Sequence, residues 1–380
     1  MSLAAILLAL APPRASGVPS YPAPFLDADD EPPIEFRLRI QSRYQFAQRD
    51  RESGAIMDPD EATTLGFVNR RVNLDMRANI TDRLRGRVRL GAGRGTGRLT
   101  TEYAQGIYEI AEGVSITAGL IRAKIVREEH TGASNQLASE RSPGNETFNQ
   151  GFTEGVELAV TRDAWRAYFS ITDGFGAANT FINAPGEADL AAGARLELRF
   201  GRADWGAYKQ FTSFRGDEPG FMLGGAVSLR HTGDTNPDRA MDTTAMTLTA
   251  DASILGGGWN MYFSGLVNHA DTDAAPDLMD LVLLAQGGFF VTRRDELFFR
   301  WNGIFPDEDN GPRGEDFHAI AGGWNHYVVE GSHAAKLTVD VFVALNPTTT
   351  SIVRTSDGHN LLPDTEAGQV GLTVQMQLLF

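Results

Sequence analysis

Eight of the twelve arginines from Arg37 to Arg89 have the type and spacing to do chemistry together. Arg37, Arg39 and Arg43 are separated by even intervals, as are Arg71 and Arg77, and Arg85, Arg87 and Arg89. Even spacing places side chains on one face of an extended strand. A guanidinium stays charged at any physiological pH and holds a carboxylate or phosphate through two parallel hydrogen bonds. Three neighbouring strands bearing these rows would build a basic wall, and fixed charges arrayed this way select anions in pores. The same residues leave a second outcome open. Pairing with Glu35, Asp75 and acidic loop residues would leave the arginines shaping only the local field.

Other chemistries have less to stand on. The chain has 380 residues and no cysteine, which removes disulfides, thiolate metal sites and thiol nucleophiles. Its seven histidines are scattered, and His318 and His326 share a strand face but are too far apart to converge on one metal. No GxSxG, HExxH or P-loop motif occurs, and the glycines between Gly91 and Gly97 lack dinucleotide-binding spacing. No enzyme activity, cofactor or metal is expected. With 49 acidic against 34 basic residues and a net charge of −15, nucleic acid is not an expected partner.

The elements that carry the arginines are read from alternation. Ile34, Phe36, Leu38, Ile40, Tyr44 and Phe46 alternate with Glu35, Arg37, Arg39, Gln41, Arg43 and Gln45. One face is apolar and the other polar, as in a strand and unlike a helix. The pattern recurs at 72–80, 84–90, 165–172, 195–200 and 336–343. No apolar run reaches the ~18 residues of a helical membrane span, and the mean hydropathy is −0.23. A soluble sheet would need a second layer over its apolar face, and no amphipathic helical segment supplies one. A transmembrane barrel instead turns that face to lipid and alternates short turns with long loops. The expected fold is all-β: a transmembrane antiparallel β-barrel with a water-filled lumen. Trp165, Trp205 and Trp259 follow short turns and Tyr327 precedes one, so all four are expected in an aromatic girdle at headgroup depth.

Seventeen alternating segments can be marked along the chain. A barrel with both termini on the periplasmic side has an even number of strands. The segment 204–219, broken by Gly216 and Pro219, is therefore expected not to span, which leaves about sixteen. A barrel of that size is wide enough for an aqueous channel. The long external segment 127–155 carries Glu128, Glu129, Glu140, Arg141 and Glu146 and is expected to fold inward as a constriction loop. Its acidic side would then face the basic wall and set a transverse field. Arg122 and Lys124 precede it. Strict alternation from Val114 to Leu120 puts them on the lipid face, unless a bulge turns them inward or they lie above the bilayer.

The ends divide from the barrel. The apolar run 3–10 followed by Ala15-Ser16-Gly17 is expected to be a signal peptide, residues 1–17, although no basic residue precedes the run. Seven of the 17 prolines lie between Pro12 and Pro33, so 18–33 is expected to be an extended leader. The barrel is expected to occupy 34–380. Its last strand places Val370, Leu372, Val374, Met376, Leu378 and Phe380 on one face. A terminal Phe380 on such a strand resembles the signal read by the outer-membrane barrel assembly machinery.

After Phe67 most of the chain resembles the phosphate-selective porin O and P family. The resemblance rests on Ala118-Gly119-Leu120-Ile121 before a basic pair, Glu140-Arg141-Ser142, and Gln286-Gly287-Gly288-Phe289-Phe290. It extends to Gly323-Trp324-Asn325-His326-Tyr327, Gly331-Ser332-His333 and Lys336-Leu337. It implies a homotrimeric sixteen-stranded channel in the bacterial outer membrane, surrounded by lipid, with lumenal Arg and Lys guiding anions such as phosphate. The sequence departs from the family in its lysines. Lys124, Lys209 and Lys336 stand far apart, where the most selective members carry a close cluster. The expected function is passive diffusion of small hydrophilic solutes with a preference for anions. Two alternatives use the same lumen: an exporter of anionic polysaccharide, and a structural or adhesive barrel plugged by Arg–Glu pairs.

Overall fold

The computed structural model describes residues 34–49, 63–92, 97–174, 178–179, 188–233, 242–273, 275–355, 358 and 361–380. The expected signal peptide 1–17 and leader 18–33 lie outside the described residues. Sixteen antiparallel strands follow in order: β1 Ile34–Gln48, β2 Thr63–Asn79, β3 Leu84–Ala92, β4 Leu99–Ala111, β5 Val114–Ile121 and β6 Thr153–Thr161. Next come β7 Trp165–Thr172, β8 Leu190–Gly201, β9 Gly220–Thr232, β10 Thr243–Leu255 and β11 Trp259–Thr272. The last are β12 Leu278–Phe290, β13 Asp295–Phe305, β14 Phe317–Tyr327, β15 Ala335–Ala344 and β16 Val370–Leu379. Each strand pairs with its sequence neighbours, and β1 pairs with β16 to close a barrel. Closure satisfies every edge, the condition for crossing hydrocarbon with strands. The seam ends where the Phe380 amide donates to the Leu38 carbonyl (3.0 Å), and Phe380 itself is exposed.

Alternation sorts the faces. Phe67, Phe169, Leu229, Phe263 and Phe299 are among many large apolar side chains exposed on the outside, Phe67 by 88%. Trp165 and Trp259 stand outward beside their turns, as a girdle requires. The other two aromatics depart from it. Trp205 lies off the strands, its indole donating to the Arg162 carbonyl (2.8 Å). Tyr327 is fully buried and donates to Glu296 inside the barrel (2.6 Å).

Segment 204–219 does not span. Gly201 and Gly220 pair directly, and the chain between them turns into the lumen, burying Tyr208, Phe211, Thr212 and Ser213. The lumen also differs from a uniformly polar one. On the β11–β15 side Leu266, Val282, Ile304, Phe317 and Phe342 point inward. They pack against Val353 and Leu361 of the connection after β15 and against Phe148. Apolar side chains can face the lumen because inward-folded segments keep this side dry.

Candidate functional site

The site is made by the segment between β5 and β6. Strand β5 ends at Ile121, and Gly119 has φ +118°, where an added Cβ would come 2.1 Å from the Ala104 carbonyl oxygen. Only glycine tolerates that approach. From Arg122 the chain leaves the wall and enters the lumen, forming the short helices α1 (Arg127–His130) and α2 (Pro143–Phe148). Ser142 caps α2, accepting a hydrogen bond from the Asn145 amide. The crossing is anchored at several strands. Ser139 donates to Asp340 on β15 (2.8 Å), Asn325 on β14 to the Leu137 carbonyl (3.0 Å), and Gln41 on β1 to the Ala133 carbonyl (3.4 Å). The Gly144 amide donates to Asn302 on β13 (2.8 Å).

Ion pairs lock the segment. Glu140 is fully buried and takes Arg43 (2.7 Å), Arg70 (2.5 Å) and Arg71 (2.7 Å). Burial pushes the Glu140 carboxyl up, but these arginines outweigh it and hold it well below the usual range. Glu128 accepts from the amide and hydroxyl of Ser142 and faces Arg300 at 3.4 Å. Glu129 pairs with Arg122 (3.1 Å) and Arg141 (3.3 Å), and against burial they keep its pKa lowered. Arg127 lies between Glu197 and Asp251, which also hold Arg195.

Between this segment and strands β1–β7 lies a cavity of 530 Å³. Eleven basic and three acidic side chains line it. The wall supplies Arg39, Arg70, Arg71, Arg77, Arg87, Arg89 and Arg166, and the inward segment supplies Arg122, Lys124 and Arg141. Lys209 comes from the connection after β8. Glu102, Glu129 and Glu146 are the acids. Tyr103 and Phe152 stiffen the basic side, with Arg87 over the Tyr103 ring at 4.0 Å and Arg122 over the Phe152 ring at 4.0 Å. Such stacks hold a guanidinium in place while leaving its edge open. A second cavity of 610 Å³ at the short-turn end shares Arg39, Arg77, Arg89 and Asn135 with the first.

The arginines read from sequence divide on this geometry. Arg39, Arg71, Arg77, Arg87 and Arg89 line the basic cavity. Arg43 is buried behind Glu140 and does not. Arg37 pairs with Glu35 (2.6 Å) at the short-turn rim, and Arg85 is exposed there, outside the cavity. Arg122 and Lys124 reach the cavity because the strand has already ended, so alternation no longer governs them. The pairing alternative holds for much of the wall. Asp75 takes Arg77 (3.1 Å), Arg87 (2.6 Å) and Arg89. Of the segment's acids, Glu129 and Glu146 line the cavity while Glu128 and Glu140 turn into their own ion pairs, so the lining is predominantly basic. Five lining residues were missed. Arg70 enters through a bulge, since Gln41 pairs with Arg71 and Ser42 with Asn69, which lets two successive arginines face inward. A second bulge, with Arg89 opposite Tyr103 and Leu90 opposite Thr101, brings Glu102 and Tyr103 in together. Arg166 opposed the apolar face in the sequence but belonged to no row, and Lys209 lies in the non-spanning segment.

The surroundings shift two titratable groups of the inward segment. Glu146 is pushed up to about 7 by burial and by the neighbouring Glu140 and Glu129 charges. His130, beside Glu197 at 3.8 Å, is held well below its usual range by burial and by Arg195 and Lys124, and so is neutral. Among the described residues no group of three or more His, Asp or Glu side chains could hold a metal ion.

By sequence, no protein-family profile and no curated protein matches the chain. Solved structures do match its fold. OmpT of the Vibrio cholerae outer membrane superposes with a TM-score of 0.61 at 12% identity, covering 91% of this chain and 97% of that one. An anion-selective porin from Comamonas acidovorans gives 0.59 at 11% identity, covering 91% and 99%. The outer membrane channel DcaP of Acinetobacter baumannii gives 0.60 at 13% identity, covering 91% and 97%. The fold is that of the outer-membrane porins. With its closed sixteen-strand wall and apolar outer face, the chain is an integral outer-membrane protein.

Proposed function

We propose that the protein is a porin giving small hydrophilic solutes passive passage across the outer membrane, with a preference for anions. The observation that carries this reading is the basic cavity. Eleven cations against three acids bound one cavity, and a second cavity toward the short-turn end shares Arg39, Arg77, Arg89, Gly132 and Asn135 with it. Short turns lie at the periplasmic side of such barrels, so the second cavity is placed toward the periplasmic end of the path. Low-dielectric walls lined by one sign of charge concentrate counter-ions. Phosphate is one of the anions such a path would carry, and assembly as a homotrimer is part of the proposal. Three inward-folded segments narrow the lumen, which favours small solutes over an anionic polysaccharide.

The test is the reversal potential of the purified protein in a planar bilayer under a KCl gradient. The expected sign is that of chloride over potassium, with Arg87→Glu cutting the preference. Cation preference would overturn the anion reading, and absence of conductance would favour a plugged structural barrel.

A further inference from the structure

Nine of the eleven cations around the basic cavity already have carboxylate partners. Asp75, Glu140 and Glu129 each serve two or more of them, Arg166 pairs with Glu197, and Lys124 lies 4.0 Å from Glu157. Such cations add to the field, but a passing anion must compete with a built-in carboxylate for their hydrogen bonds. Arg39 and Lys209 are different. Arg39 donates to the neutral Asn73 side chain (3.0 Å), and among the described residues neither Arg39 nor Lys209 makes an ion pair.

Both border the same stretch of the inward segment, Gly132–Asn135, where the two cavities meet. Lys209 has an exposed side chain on a fixed base. Asn135 donates to the Lys209 carbonyl (3.1 Å), Arg127 to the Tyr208 carbonyl (2.8 Å), and the Phe211 amide to the Asn135 carbonyl (3.0 Å). Among the described residues, the segment entering from the periplasmic end therefore delivers an ammonium outside any ion pair to the junction, and β1 delivers a guanidinium that feels Glu102 but makes no ion pair with it.

We propose that Lys209 and Arg39 form the contact step for permeating oxyanions, carboxylate or phosphate, and so set selectivity at the junction of the two cavities. This rests on the anion-porin reading above. The chain has no cysteine, so Lys209→Cys carries a single thiol. Its chloride preference in the KCl gradient is expected to fall about threefold, the effect of one unit charge a few ångströms from the path in a water-like dielectric. An aminoethyl methanethiosulfonate, which restores an ammonium, is expected to restore the preference, and a sulfonatoethyl reagent is expected to lower it further. Arg39→Gln should fall likewise, while Arg85→Gln, the same charge change outside the cavity, should not. Potassium phosphate and potassium succinate are then added separately to the wild type and to Lys209→Cys. Block of chloride current by either, weakened in the variant, supports the oxyanion step and tells which oxyanion is held. Block by neither overturns it. A wild type that prefers anions with a Lys209→Cys variant unchanged by substitution and by both reagents sinks this proposal alone. A wild type without anion preference sinks the porin reading and this one with it.

Discussion

A carboxylate removed from water stays charged only if cations replace its hydration, and Glu140 has three. Replacing it with Gln leaves Arg43 and its neighbours buried without a counter-charge, a loss of about 3–5 kcal/mol when one partner of a buried pair is removed. The sixteen paired strands do not depend on that contact, so the cost falls on the inward segment. Glu140→Gln is expected to release it from β1 and β2 and raise single-channel conductance, with new protease cleavage within 131–141 of an otherwise resistant barrel. An unchanged digestion pattern would show that the backbone anchors suffice. Glu146 argues in the other direction. Its carboxyl titrates at about 7, above its ordinary value, so it is neutral on the acid side and anionic on the alkaline side. Neutral Glu146 leaves the cavity one charge more positive. Anion preference should therefore be larger below pH 7 than above it, and Glu146→Gln should hold the acid-side value throughout. Reversal potentials measured on both sides of neutrality decide it.

At the level of elements, period-two alternation made most of the wall legible, because a strand offers only two faces and lipid fixes which is apolar. Val370 through Leu378 on β16 and the Arg85, Arg87 and Arg89 row on β3 could be assigned from their neighbours. The bulges at Arg70 and at Glu102 could not, because an extra residue shifts the parity without marking its position. The inward segment was legible as a long charged loop, but which acids would meet which arginines depends on anchoring far apart in sequence. Gly144 is one such anchor. An added Cβ there would lie 2.3 Å from Val282 Cγ1, while its amide donates to Asn302. Gly144→Val is expected to lift α2 from β12 and β13 and weaken the constriction. The measurement is conductance together with folded-barrel gel mobility, and a conductance equal to wild type would mean that Val282 gives way instead.

For the whole molecule, the number of strands and the width of the channel separate. Parity and the breaks at Gly216 and Pro219 reduced seventeen segments to sixteen by setting 204–219 aside, yet nothing in its composition told that it would fill the lumen. Its contacts are with groups brought together only by closure. Phe211 lies against Tyr262 with ring centroids 4.5 Å apart, Phe214 against Tyr327 at 5.0 Å, and Thr212 beside the Tyr327 hydroxyl at 3.1 Å. The segment leaves and rejoins the wall at Gly201 and Gly220, which face each other across β8 and β9. Joining those strands by a two-residue type I′ turn, the usual hairpin solution, would remove the insert without breaking the ladder. The shortened protein is expected to keep its folded mobility, because the barrel ladder is intact. Loss of the insert exposes Tyr262, Phe298 and Leu284 to water on the lumen side, so thermal stability should fall. Conductance should rise several-fold and anion preference should drop, because Lys209 leaves with the segment. A shortened barrel with wild-type conductance would mean that the segment between β5 and β6 alone limits the flow.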